Sequence, residues 1–198
     1  MHKLAVPGIV ISEVYTEQVA DRAVLGWVEL LNVWHETVDL QGFRLVCGDA
    51  GGETRAVPLV GTISGCGTHV VGGPNSNPGN GMPFYDQVVD LSAGLFLDGV
   101  GLRFVALYEP GACPCEDCPI SAVLHAPRPL GDGIPPGCRT GISILEAARP
   151  GASLERLTWP EDDWRHSVAP GPNQVHDELG CSPSRSSVID LSPLKTVY

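Results

Sequence analysis

Apolar residues along this chain come in short runs fenced by glycine and proline, and within the runs they tend to alternate with polar ones. In residues 27–33, Trp27, Glu29 and Leu31 fall on one side while Val28, Leu30 and Asn32 fall on the other. Period-two alternation of this kind predicts a strand. Residues 8–15 carry the β-branched series Ile9, Val10, Ile11 and Val14, followed by Tyr15. Residues 101–108 set Leu102, Phe104, Ala106 and Tyr108 against Arg103, Val105 and Leu107. Residues 38–47, 54–60, 68–71, 87–91, 94–97 and 120–125 read as further strands, and the Gly/Pro/Asn-rich stretch 72–83 as a loop with no room for a regular element. The one helix-like piece is 141–148, which its flanking Gly and Pro keep short or strand-like. Many short strands with frequent turn signals predict an all-β sandwich. Its core between two sheets is expected to hold Trp27, Leu30 or Leu31, Phe43, Leu45, Phe104 and Leu154.

Five motifs add to this pattern. Ile9-Val10-Ile11-Ser12-Glu13-Val14 opens the series, and Trp27-Val28-Glu29-Leu30-Leu31-Asn32 follows. Next comes Val38-Asp39-Leu40-Gln41-Gly42-Phe43-Arg44-Leu45, and far downstream stand Ser153-Leu154-Glu155-Arg156 and Pro170-Gly171-Pro172-Asn173. In that order, I-x-I-x-E-V, W-V-E-L-x-N, V-D-L-x-G-F-x-L, S-L-E-R and P-G-x-N resemble the lamin tail domain family over residues 9–173. The resemblance implies an immunoglobulin-like β-sandwich that binds or assembles rather than catalyses. It also implies that Asn32 sits at a turn, bonding nearby backbone, that Gly42 adopts a conformation easy for glycine, and that 91–108 forms paired strands around an Asp98-Gly99 turn. Two pieces depart from the family pattern: a Cys/Pro-rich insertion at 111–139, and residues 174–198 beyond the closing motif. The expected organisation is a lamin-tail-like sandwich over 1–173 with that insertion, then a C-terminal linker and extended arm over 174–198.

Charge narrows the partners. Twelve basic residues face 23 acidic ones, for a net charge of −11. Binding to nucleic acid needs Lys and Arg to displace counterions from phosphates, so no nucleic acid is expected as a partner, in contrast to the DNA contacts of some lamin tail relatives. No run approaches the roughly 20 apolar residues of a membrane span, so membrane insertion is not expected either. Residues 1–14 lack the apolar run of a secretory signal, being interrupted by Pro7, Gly8 and Glu13. The sequence contains no G-x-S-x-G, H-E-x-x-H or Walker motif. With its six histidines scattered, no catalytic residues are expected and the protein reads as a non-enzyme.

The remaining candidate chemistry lies in three places. Cys113, Cys115, Cys118 and Cys138 crowd into the insertion and are expected to close it, as disulfides first and as a zinc site second, with His125 an alternative fourth ligand to Cys113. Seven cysteines in all leave at least one unpaired or intermolecular, and Cys47 and Cys66 read either as buried apolar residues or as a bridge between strands. The segment Trp159, Glu161, Asp162, Asp163 and Trp164 combines carboxylates and indoles. It reads first as a solvated turn with its indoles over the sandwich edge, and otherwise as a loop for calcium or carbohydrate. The C-terminal arm carries Val188, Ile189, Leu191, Leu194, Val197 and Tyr198, apolar residues in two extended segments split by Pro193. Such an end either folds back on its own sheet or adds a strand to a neighbour.

These readings converge on a structural or interaction protein, an assembly unit of an extracellular surface structure, a filament or a virion, without a resident cofactor. Its partner would be itself or another structural protein, joined by β-strand addition. The alternatives are a calcium- or carbohydrate-binding module and an accessory domain of a secreted hydrolase.

Overall fold

The computed structural model describes residues 8–16, 25–49, 52–91, 103–113, 118–126, 142–146, 151–158 and 163–174. Within them the chain is all-β. The strands are β1 (Ile9–Tyr15), β2 (Trp27–Asn32), β3 (Val38–Asp39), β4 (Arg44–Asp49), β5 (Gly52–Pro58), β6 (Thr62–Ile63), β7 (Thr68–Gly72), β8 (Gln87–Val88), β9 (Arg103–Tyr108), β10 (Ser121–Ala126), β11 (Ile142–Glu146), β12 (Ser153–Arg156) and β13 (Trp164–Ser167). A six-stranded sheet runs β13-β12-β1-β2-β7-β8, a five-stranded sheet runs β11-β10-β9-β4-β5, and β3 pairs with β6. Pairing is antiparallel except for β7 with β8 and β10 with β11.

The two larger sheets share one apolar core. Ile9, Ile11, Val14, Val28, Leu30, Val71 and Leu154 come from the first, and Leu45, Cys47, Val57, Val105, Leu107 and Val123 from the second, with Phe43 half-buried against them. The result is a sandwich-like arrangement in which burial of this layer is the main stabilising contribution.

A bulge sets the facing of β1. Ile11 pairs with Leu30 and Glu13 with Glu29, so Ser12 is the extra residue. Ile9, Ile11 and Val14 therefore all face the core, and Glu13 and Tyr15 face outward. Strict alternation would have put Val14 on the opposite side from Ile9 and Ile11.

Two residues expected between the sheets lie elsewhere. Trp27 is fully buried, but on the outer face of the first sheet, where it stacks on Tyr15 at 5.9 Å between ring centroids beside Leu25 and Val70. Its indole N–H donates to the Asn80 carbonyl at 2.9 Å. The loop after β7 covers it: Pro78–Asn80 forms a 3-10 turn capped by Asn77, where the sequence pattern predicted no regular element. The Asn80 side chain donates to the carbonyls of Leu25 and Asn75. Polar loop residues thus make a lid whose hydrogen bonds are satisfied from within, and that allows an outward Trp to be dry. Phe104 is half-buried on the outer face of the second sheet, beside Val46, Ala106, Tyr108 and Ala122. The parity of β9 points Val105 and Leu107 inward instead. Arg44 Nη2 donates to the Ala112 carbonyl and fastens the turn after β9.

Residues 142–146, helix-like by pattern, form β11 alongside β10. An edge of a sheet was open to a segment rich in Ile, and pairing there outweighs a weak helical preference. Strands β6 and β13 were not expected from the sequence. The predicted strand at 94–97 and the Asp98-Gly99 turn lie outside the described residues.

Candidate functional site

The register of the six-stranded sheet assembles a row of acids. Glu155 on β12 pairs opposite Glu13 on β1, and Glu13 pairs opposite Glu29 on β2. Residues directly opposite in a ladder share a face with their Cβ atoms about 5 Å apart. Three carboxyls therefore stand side by side on the outer face. Arg165 of β13 lies opposite Glu155 at one end, and Val70 of β7 lies opposite Glu29 at the other. Glu13 and Glu29 have no exposed surface, and Glu155 is buried as well.

The turn at 170–173 closes over this row. The Gly171 N–H donates to Glu13 Oε1 at 3.3 Å, and the Asn173 N–H donates to Glu29 Oε2 at 2.6 Å. Asn173 has φ 64°, a left-handed value that asparagine tolerates better than most residues. Its side chain accepts from the Phe84 N–H and donates to the Phe84 carbonyl, so the turn also holds the 82–85 segment. Serines complete the fastening: Ser12 Oγ lies 2.8 Å from Glu29 Oε1, and Ser153 Oγ contacts Glu13 Oε1. Glu13 Oε2 is buried with no hydrogen-bond partner.

Among the described residues Arg165 is the cation that bonds these acids: it grips Glu155 with two bonds of 2.8 and 3.1 Å, while serine hydroxyls and backbone N–H groups reach Glu13 and Glu29. Burial, opposed by the Ser153 and Gly171 bonds, pushes the Glu13 carboxyl up to about 7. Burial, opposed by Ser12 and the Asn173 N–H, pushes Glu29 up to about 8, with Glu13 and Glu155 adding like charge. Paired carboxyls with displaced acidities are also the equipment of general acid–base catalysis, but that chemistry needs a substrate within hydrogen-bond reach. Here both groups are shut beneath the turn. Among the described residues no group of three or more His, Cys, Asp or Glu is placed to hold a metal ion. What the arrangement does is fasten the closing turn to the sheet through protonatable groups.

On the opposite face of β12, Arg156 links the two sheets. Its Nε donates to the Ile11 carbonyl at 2.9 Å and its Nη2 to Ser121 Oγ, and its guanidinium lies 4.6 Å from the centre of the Trp164 ring. Burial lowers its pKa to about 10. At the end of β2, Asn32 Nδ2 donates to the carbonyls of Glu36, Ile63 and Ser64.

Only some of the candidates singled out by sequence fall within the described residues. Cys113 and Cys118 are both disulfide-bonded, whereas Cys115 and Cys138 lie outside the described residues. Cys47 and Cys66 are not disulfide-bonded. Burial pushes Cys47 up to about 12, and Cys66 Sγ lies 3.4 Å from His35 Nδ1. Of the acidic loop, Trp159, Glu161 and Asp162 lie outside the described residues. Asp163 is exposed, and its carbonyl accepts from the Leu157 N–H. Trp164 is half-buried with its ring face under Arg156. The arm residues Val188, Ile189, Leu191, Leu194, Val197 and Tyr198 also lie outside. The carboxyl row was missed, although a signal was present: three of the motif segments each carry one Glu, two of them within a mostly apolar strand.

No family model and no curated protein sequence matches the chain. A protein of the DUF4876 family from Bacteroides thetaiotaomicron is one solved structure it resembles, at 13% identity and a TM-score of 0.45, over 92% of this chain and 76% of that one. A likeness at that level carries no argument about function.

Proposed function

We propose that this protein is a non-enzymatic contact and assembly module, an immunoglobulin-like sandwich of the lamin tail type that joins a second copy of itself or another structural protein. The observation that carries the reading is a rigid platform with apolar side chains left outside. Met82, Phe84 and Val168 are 66, 74 and 88% exposed, and they stand on the two segments that meet at the closing turn. Asn173 bonds both backbone groups of Phe84, and Gly81 packs against Pro170 and Pro172. Large apolar side chains on preorganised backbone form contacts at low ordering cost.

Two further observations support it. Gln174 follows directly on Asn173, which bonds both backbone groups of Phe84. Among the described residues the sheets also end in edge strands, β13 and β8 in one and β5 and β11 in the other, and such edges suit strand addition. The disulfides at Cys113 and Cys118 favour an oxidising, extracellular or virion-surface setting. The kinship with lamin tail domains is supported by the way three Glu-bearing motifs and P-G-x-N meet in one place.

Light scattering on the full chain, on a chain ending at Gln174 and on full-length Phe84→Ser tests this. Association of the full chain that is weakened in both variants is the expected result. Equal monomeric masses for all three at high concentration would show that the reading is wrong.

A further inference from the structure

We propose that the Glu13–Glu29–Glu155 row is a pH-sensitive latch, which holds the 170–173 turn on the sheet while Glu13 and Glu29 keep a proton between them and lets it lift when both are ionised. The geometry leads there independently of the contact-face reading. Two buried carboxyls stand opposite one another on adjacent strands, and the cation in the row, Arg165, is committed to Glu155. Like charges at that spacing cannot both form cheaply away from water.

The Ser12 hydroxyl points to where a proton sits. Its oxygen lies 2.8 Å from Glu29 Oε1 and 3.3 Å from the Glu29 carbonyl oxygen, and a hydroxyl has one proton to give. Both contacts are satisfied together when Ser12 donates to the carbonyl and a protonated Glu29 Oε1 donates to Ser12. Glu29 Oε2 then still accepts from the Asn173 N–H. Glu13 adds a buried oxygen with no partner, an arrangement that favours its neutral form.

Among the described residues, the elements packed around the pair bring few charges. β12 contributes Glu155 and β13 contributes Arg165. β7 presents Val70, whose N–H is taken by Asp86. The turn itself, Pro170 to Asn173, carries no titratable side chain. When the second proton leaves, two adjacent buried anions remain, and Arg165 stands beyond Glu155 at the far end of the row. The least costly relief is to admit water by lifting the turn, because two backbone N–H bonds hold it to the pair. Lifting would also free the Phe84 segment tied to Asn173.

The sign follows from binding. In the closed state Glu13 and Glu29 titrate at about 7 and about 8, against 4.5 for exposed carboxyls. The open state therefore binds fewer protons between those values, and opening becomes more favourable as pH rises through that window. Each proton released changes the opening equilibrium by about tenfold per pH unit.

Amide exchange of the full chain by NMR, corrected for intrinsic rates, between pH 5.5 and 8.5 reads this directly. Protection at Gly171 and Asn173 should fall at least tenfold from pH 5.5 to 7 and level off above about 8, while Val28 and Leu30 in β2 keep theirs. In Glu13→Gln/Glu29→Gln, whose amides still accept the turn's N–H groups, protection should no longer depend on pH. Single Glu29→Gln, the milder change should the pair fail to fold, should show a shallower slope. A flat profile in the native chain overturns the latch. So does an unchanged slope in either variant, or a parallel loss at Val28 and Leu30.

Discussion

Glu29 shows how a residue's neighbours, more than its type, decide its chemistry. A glutamate in a strand is ordinarily a solvent-facing residue, yet this one has no exposed surface and a carboxyl pushed up to about 8 by burial. The consequence for folding has a definite sign. The folded chain holds protons on Glu13 and Glu29 above pH 4.5, where the unfolded chain gives them up. Their contribution to stability is therefore complete below about 4.5 and drains away as pH rises to about 8. Urea unfolding should show an unfolding free energy lower at pH 8.5 than at pH 5.5, by an amount of the order of a few kcal/mol. Glu29→Gln should narrow the gap, and an equal gap in that variant would remove Glu29 as its source. Thiols give a second residue-scale prediction. Cys47 is buried with its pKa at about 12, so alkylation of the native protein should mark Cys66 and leave Cys47 until urea unfolds the chain. Peptide mapping by mass spectrometry distinguishes the two.

At the scale of elements, the Ser12 bulge is the device that matters most for the row. Were Ser12 to take a regular place in the ladder, β1 would alternate strictly, and Ile9 and Ile11 would share a face with Glu13. Either the glutamate would enter the apolar core or the isoleucines would leave it. Deleting Ser12 takes out the bulge and leaves Ile9, Ile11 and Val14 on the core face and Glu13 on the outer one, so the chain should still fold, and Ser12→Ala, which keeps the bulge, should cost about 1 kcal/mol. Thermal unfolding of the two separates the bulge geometry from the hydrogen bonding. Strand β9 makes a parallel point through its parity. Leu107 lies fully buried between the sheets and Phe104 is half-buried outside. Leu107→Ala should cost about 2–5 kcal/mol, and Phe104→Ala less despite removing the larger side chain. A larger loss at Phe104 would mean that the outer cluster, rather than the inter-sheet core, is the better packed.

For the whole molecule, net charge and platform act together. With 23 acidic residues against 12 basic ones, long-range repulsion disfavours phosphate polymers, and a gel shift at physiological salt should show no complex with DNA at micromolar protein. A complex dissolved by added salt would overturn this expectation. The same acidic charge also repels copies of the chain, so association at the Met82–Phe84–Val168 platform should strengthen with salt as screening increases. Charge-driven pairing would weaken instead.

How much of this was legible in the sequence differs by feature, for physical reasons. The all-β character was determined by local pattern: β-branched runs, alternation in 27–32 and the frequency of Gly and Pro are properties of neighbouring residues, and each acts within a few positions. Leu30, Leu45 and Leu154 were legible as core for the same reason. Tertiary structure decided the rest. Alternation divides a strand into two sides but does not say which side meets the other sheet, so Trp27 and Phe104 could be placed between the sheets when both lie outside them. A bulge is invisible to a period-two pattern, since it is defined by the partner strand, and the facing of Glu13 depended on it. The acid row joins residues 13, 29 and 155 with a turn at 170–173. Each lies in a motif readable by itself, but their proximity exists only once β12, β1 and β2 pair in register. Protonation of those carboxyls is a property of that packing, because it depends on how little water and how few cations the assembled sheet leaves around them.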